Sequence, residues 1–375
     1  MESRLNSARG LFAAGVLAAS LPALGQNSVT LYGVVDAALS HQNGVSAPGG
    51  STSKTLMTDG FMTGSRFGFK GVEDLGGGYQ ALFDLENGFN SFSGALAQQG
   101  QLFGRQAWVG VADRLSSGSQ SVKFGRQYGS AFQVLSTYDS LYWGNQPTVV
   151  WPITFAGVRF DNSVEYGFQS DRVYVNVQYS VGGQTTGNVD GSTTAIGGRY
   201  DAEHWSTGAD IQESRDSAGR RLRFGALGGS IHMANIDLHG IYMVSLRDPH
   251  FTVGASGSTT ALANTNLMSN STNATTRRDE VADVGVKVTF GPALFLLTGF
   301  AYDHAASASS LGAGGTVKTA YTVIDYFLSK RTDIYAEFDY TRLTGYEIVD
   351  PAAAPGTFGG TPSHTGFGVG LRTRF

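Results

Sequence analysis

The amino-acid sequence predicts an all-β fold, a closed antiparallel β-barrel of sixteen strands that crosses a membrane. Three observations predict it. Apolar and polar residues alternate with a period of two in segment after segment. The polar face of those segments carries ionised groups, which the inner face of a sandwich core would not tolerate, while the apolar face is too extensive to leave in water. Short and long connections alternate along the chain, as they do when strands run up and down between the two sides of a bilayer.

In chain order, residues 1–25 come first. Arg4 and Arg9 precede the apolar run LFAAGVLAASLPAL, and the small residues Ala23 and Gly25 stand before Gln26. This reads as a secretory signal peptide, its apolar run shorter than the ~20 residues of a spanning helix. The barrel is left with residues 26–375. The chain has no cysteine and 52 glycines, so an exported fold must take its stability from closure of a large sheet instead of from disulfides. A net charge of -4 gives no reason to expect nucleic acid as a partner.

The first strand, near 28–40, puts Val29, Leu31, Val35, Ala37 and Leu39 on one parity and Thr30, Tyr32, Asp36 and Ser40 on the other. Strands follow near 62–72, 78–88, 103–112, 120–128, 158–169, 172–181, 193–201 and 203–213. Within this set YQALFDLEN opposes Tyr79, Ala81, Phe83 and Leu85 to Gln80, Asp84 and Glu86, and Val164, Tyr166 and Phe168 oppose Glu165 and Gln169. The remaining strands lie near 221–230, 234–245, 280–290, 293–303, 317–328, 332–343 and 364–375. There, Ile334, Ala336, Phe338 and Tyr340 oppose Glu337 and Asp339. Short turns such as EDLGGG, SDR, GPA and SKRT alternate with long connections near 41–61, 89–102, 129–157, 182–192, 246–279, 304–316 and 344–363. The last strand, HTGFGVGLRTRF, alternates Phe367, Val369, Leu371, Thr373 and Phe375 with glycines, Arg372 and Arg374. A closed sheet has no free edge, so this strand is expected to pair with the first and Phe375 to end a lipid-facing row.

The blocks VTLYGVVDAAL, SRFGFKGVEDLGGGYQALFDLENGF, FGRQAWVGV, VKFGRQYG, RFDNSVEYG, YFLSKRTDIYAEFDY and GVGLRTRF, in this order, resemble those of the Gram-negative general porins, in the proteobacterial group with the EDLG turn. The resemblance implies an outer-membrane homotrimer, each barrel with its own water-filled pore for passive diffusion of small hydrophilic solutes and ions. It also implies that the third external loop, here 129–157, folds inward to form the constriction, and that the barrel-assembly machinery reads Phe375. The alternatives are a porin selective for a particular anion or small sugar and, behind it, an outer-membrane barrel enzyme.

Parity maps the implied constriction onto this chain. Arg66, Lys70, Arg105, Lys123 and Arg159 fall on polar faces and are the wall cations, with Asp161 and Glu165 sharing the face of Arg159. Asp139 is the single acid of the loop. Arg126 has the parity of Phe124; since a lipid-facing cation at mid-depth costs ~2–4 kcal/mol, it is expected in a subunit interface or near the membrane rim unless a bulge turns it inward. Five cations against Asp139, Asp161 and Glu165 suggest a weak anion preference. Catalysis is not expected: the chain lacks cysteine and a G-x-S-x-G elbow. No metal or other cofactor is expected either, the His232 and His239 pair lying on opposite or distant faces.

Overall fold

Alternation of side chains across a pleated strand converts the sequence pattern directly into a two-faced sheet. The computed structural model describes residues 28–48, 50–144, 151–183, 189–254, 262, 264–268, 275–350 and 360–375. The expected leader, residues 1–25, lies outside the described residues, as do 145–150 of the third connection. The first strands are β1 (Ser28–Ala47), β2 (Gly50–Asp59), β3 (Arg66–Gly76), β4 (Tyr79–Gly88), β5 (Gln106–Leu115) and β6 (Gly118–Tyr128). Next come β7 (Arg159–Gln169), β8 (Val173–Ser180), β9 (Thr193–Asp201), β10 (Trp205–Arg215), β11 (Arg221–Met233) and β12 (Ile236–Arg247). The set ends with β13 (Arg277–Phe290), β14 (Leu294–Ala306), β15 (Gly315–Phe327), β16 (Thr332–Gly345) and β17 (Ser363–Arg374).

All seventeen segments belong to one sheet in which each strand pairs antiparallel with its neighbours. Along one edge of β1, Ser28–Val34 pairs with β3 and Ala37–Ala47 pairs with β2, so β2 and β3 are successive parts of one barrel strand and the barrel has sixteen. Along the other edge, Val34–Gln42 pairs with β17. Closure extends to the last residue: Gly33 N donates to Phe375 O at 3.0 Å, and Phe375 N donates to Gly33 O at 3.0 Å. The Phe375 ring covers Gly33, where a Cβ would lie 2.3 Å from ring carbon Cζ. Gly33 therefore makes room for the residue that completes the sheet.

The outer face is the apolar one. On β16 and β17, Phe338, Val369 and Leu371 are exposed, whereas Glu337 and Asp339 are buried. This is the alternation of a barrel whose outside meets hydrocarbon. No helix among the described residues is long and apolar enough to cross a membrane.

Two features differ from the sequence expectation. Most of 41–61, expected as an external loop, forms a hairpin of β1 and β2 that ends at Asp59, because its Thr side chains suit strands in water as well as loops, and the strand expected from 62 begins at Arg66. The polar inner face is also not uniform. Leu222, Phe224, Met243, Val281, Val317 and Leu343 occupy inner parities of β11, β12, β13, β15 and β16 and pack with Trp151, Ile153 and Phe155. An apolar inner wall is stable there because protein, not water, lies against it.

Candidate functional site

Arg66 opens β3, Arg105 lies one residue before β5, and Arg159 opens β7. Residues at the same end of neighbouring strands and on the same parity converge, and here two acceptors join the three guanidinium groups. Glu86 of β4 accepts from Arg105 Nε at 2.6 Å and pairs with Arg66 Nε at 3.4 Å. The Tyr128 hydroxyl, at the end of β6, accepts from Arg105 Nη2 at 2.9 Å and from Arg159 Nη2 at 3.0 Å. Arg159 also stacks on the Tyr128 ring, 4.5 Å from its centroid. One carboxylate shared by two guanidiniums and a phenol shared by two leave the group with a net positive charge.

A cleft of about 490 Å³ opens beside this group. Arg66, Arg105, Arg159, Arg372 and Arg374 line it, and among the described residues no carboxylate does. Its other side is formed by Phe132, Leu141, Trp143 and Ile153, from the connection between β6 and β7. That connection contains α1 (Ser130–Leu135) and short turns at Ser136–Tyr138 and Trp151–Phe155. Its partners are inner-face residues of distant strands. Ser130 Oγ donates to Asn176 Oδ1 of β8 at 2.6 Å and also contacts Asp210 of β10. Gln212 Nε2 of β10 donates to Ala156 O at 2.7 Å, and Trp151 Nε1 donates to Thr319 Oγ1 of β15 at 3.1 Å.

The other residues singled out in the sequence serve different purposes. Lys70 Nζ lies over the Tyr32 ring at 5.2 Å, and Lys123 Nζ donates to Glu165 Oε1 at 3.0 Å. Neither lines the cleft. Glu165 is fully buried and also accepts from Gln133 Nε2 of α1 at 2.5 Å, so it ties the connection to the wall. Asp161 pairs with Arg126 Nη1 at 2.6 Å instead of facing Arg159. The register of β6 against β7 shifts between Gly125 and Gln127, with Gly125 at φ 131. This bulge leaves Arg126 buried by its own chain, its Nε donating to Gly104 O at 2.7 Å and its Nη2 to Asn264 O at 2.9 Å.

Asp139 is 3% exposed and does not line the cleft. Its Oδ1 accepts from Leu141 N at 3.0 Å and Trp143 N at 2.7 Å, folding the chain around the carboxyl. Its Oδ2 accepts from Tyr321 of β15 at 3.0 Å, and the Asp283 carboxyl of β13 stands beside it. Burial pushes the Asp139 carboxyl above the usual aspartate range.

Sequence reasoning did not assign Tyr128, Glu86, Arg372 or Arg374 to the site. The parity of the last strand had already placed both arginines on its polar face, and that was the available signal. Arg372 Nε donates to Asp333 Oδ2 at 2.9 Å and Arg374 Nη1 to Asp333 Oδ1 at 2.6 Å, which holds them at the cleft margin.

Known proteins share both the sequence pattern and the sheet. The family model described as Gram-negative porin matches residues 11–346. An outer membrane porin protein of Bordetella pertussis is 36% identical over 185 residues, which is 46% of this chain and 46% of that protein. Outer membrane porin protein 32 of Delftia acidovorans is 39% identical over 131 residues, 35% of each chain. These alignments thus span less than half of the curated relatives they match. Among solved structures, the anion-selective porin from Comamonas acidovorans superposes with a TM-score of 0.72 at 22% identity, covering 93% of this chain and 100% of that one. OmpF of Salmonella typhi, solved with daunomycin, gives 0.58 at 16% identity over 93% and 98%. With a family match that runs along most of the chain and a closed sheet that superposes on solved porins, the protein belongs to the Gram-negative porin family, barrels of the outer membrane and not enzymes.

Proposed function

We propose that the protein is an outer-membrane channel through which small hydrophilic solutes and ions diffuse passively, with a preference for anions. The cleft lined by five arginines and, among the described residues, by no carboxylate carries this reading. A sixteen-stranded barrel is wide enough to enclose an aqueous channel. The described parts of the connection between β6 and β7, 129–144 and 151–158, narrow it to one passage, and there Arg66, Arg105 and Arg159 act on a passing solute at close range. Charges farther than a Debye length of ~8 Å are screened, so the acids elsewhere on the wall weigh little against these three. Diffusion through such a passage requires no cofactor and no energy source.

The solved porin from Comamonas acidovorans is anion-selective, which agrees with this reading. A channel tuned to one class of anion gains support from Arg159, which is 6% exposed, donates to a phenol, and leaves its buried Nε without a partner among the described residues. We also propose that three barrels assemble as a trimer, a form in which OmpT of Vibrio cholerae has been solved, and that Phe375 is read during assembly. The test is the zero-current potential of purified protein in a planar bilayer under a salt gradient. A sign corresponding to anion flow is expected; a cation-selective or non-conducting protein overturns the reading.

A further inference from the structure

Between β2 and β3 the chain leaves the barrel wall without ending a barrel strand. Pairing with β1 stops at Ala37 opposite Asp59 and resumes at Val34 opposite Arg66. The six residues Gly60–Ser65 therefore stand against only Val35 and Asp36 of β1, and the surplus chain must leave the sheet. It leaves toward the inside. Phe61 is 3% exposed and stacks on Tyr335 with centroids 6.2 Å apart and planes 12° apart. Its ring covers Gly368 so closely that a Cβ there would lie 2.5 Å from it. Tyr335 and Gly368 both belong to the inner parity of their strands.

Asp36 organises this excursion. Its carboxylate is fully buried, and its Oδ2 accepts from the backbone N–H groups of Met62 at 3.0 Å and Thr63 at 2.8 Å. Its Oδ1 accepts from Tyr335 at 2.5 Å. Its own backbone carbonyl accepts from Gly60 N at 2.8 Å, and its N–H donates to Ser65 Oγ at 3.0 Å. One residue thus ties both ends and the middle of the excursion, and a buried carboxylate with three donors is well satisfied.

The excursion meets the other inserted segment. Met62 packs in one apolar cluster with Leu141, Tyr321 and Val323, and its carbonyl lies 3.0 Å from where a Cβ on Gly144 would stand. Met62, Thr63 and Gly64 line the arginine cleft. Arg66 Nη1 donates to Thr63 Oγ1 at 2.9 Å and Gly64 O at 3.1 Å, so the same residues aim one of its cations.

We infer that Gly60–Ser65 is a second inserted segment, which closes the passage from the side of β1 and β17 and sets both its width and the position of Arg66, with Asp36 as its positioning residue. This rests on the channel reading above. The segment is a specificity determinant: solutes pass between Thr63 on one side and Leu141, Trp143 and Ile153 on the other.

The absence of cysteine makes a direct test possible. Thr63→Cys and, as a control on the exposed hairpin, Thr52→Cys are each inserted in planar bilayers and treated with a bulky uncharged methanethiosulfonate, with mass spectrometry to confirm attachment. Modification at position 63 is expected to cut single-channel conductance at least twofold, and modification at position 52 to leave it unchanged. A reagent that fails to reach position 63, or attaches there without altering the current, overturns the inference while leaving the channel reading intact. Wild-type protein that inserts but does not conduct overturns the channel reading and this inference with it. Asp36→Ala gives a second measurement: conductance rises and anion preference weakens, and an unchanged value for both removes Asp36 from the role given to it.

Discussion

The two sides of the lumen treat charge in opposite ways. On the side of β3 to β7, Arg66, Arg105 and Arg159 share one carboxylate and one phenol and line an open cleft. On the side of β13 to β17, the acids Asp139, Asp283 and Glu337 are buried, as is Asp36 on the adjoining β1. Asp36 and Asp139 accept from backbone N–H groups and tyrosines and so serve as tethers under inserted chain. The difference teaches that the charge a channel presents is not the charge its wall contains. Counting wall residues, as the sequence invites, sets acids against bases on equal terms. Asp36 and Asp139 are taken up by donors from inserted chain, and none of these four acids lines the cleft that the arginines line, which removes them from the count.

The largest effect should come from removing the arginines that line the cleft. Arg66→Gln, Arg105→Gln and Arg159→Gln together are expected to reverse the sign of the zero-current potential in a salt gradient, from anion to cation preference. An unmoved potential in a conducting channel would end the assignment of these arginines to the passage. Next in size is Asp139→Ala. It deletes two backbone bonds and one tyrosine bond to a carboxylate, each worth about 1.5–3 kcal/mol, so the connection loses its grip on β15. Single-channel conductance should rise and become noisier, and limited proteolysis should cut between β6 and β7.

Tyr128→Phe should produce a smaller change. The ring still stacks under Arg159, but the oxygen that spaces Arg105 from Arg159 is gone, and the reversal potential should drop by less than in any arginine variant. The smallest effect is expected from Asp283→Asn. That carboxyl is 2% exposed and faces Asp139 instead of the cleft, so conductance and reversal potential should stay within error of wild type. A marked shift toward anions would show that the buried acids do act on permeating ions and would break the comparison at its root.

How much of this was legible in the sequence depends on range. Period-two alternation is local, so Phe338 against Glu337 or Leu371 against Arg372 could be read directly, and sixteen such segments defined the barrel. Arg66, Arg105 and Arg159 were legible for the same reason. Asp139 was not, because its fate depends on Tyr321, 182 residues away, and no local pattern says which wall a long connection will touch. Arg372 and Arg374 joined the cleft only through closure of β17 on β1. Phe61 read as the end of a connection and Met62 as the start of a strand, and the glycines at 60 and 64 were the one hint that the chain steps out of the sheet there.

Among the described strands, the pairing of β1 with β17 alone joins opposite ends of the chain; β1 meets β3 and β2 on its other edge and β17 meets β16. This has a kinetic meaning. Every other pairing joins strands adjacent in sequence and can form as a local hairpin, but the seam at β1 must wait for the rest of the sheet to curve around. Until then the molecule carries two raw edges, each able to pair with another chain. Closing the seam is therefore expected to limit formation of the barrel, and its rate should respond to substitutions at Gly33 and Phe375 far more than to changes of similar size in any hairpin. A circular permutant that joins residue 375 to residue 28 by a short turn and opens the chain at Gly76–Gly78 would move that bottleneck to a different pair of strands.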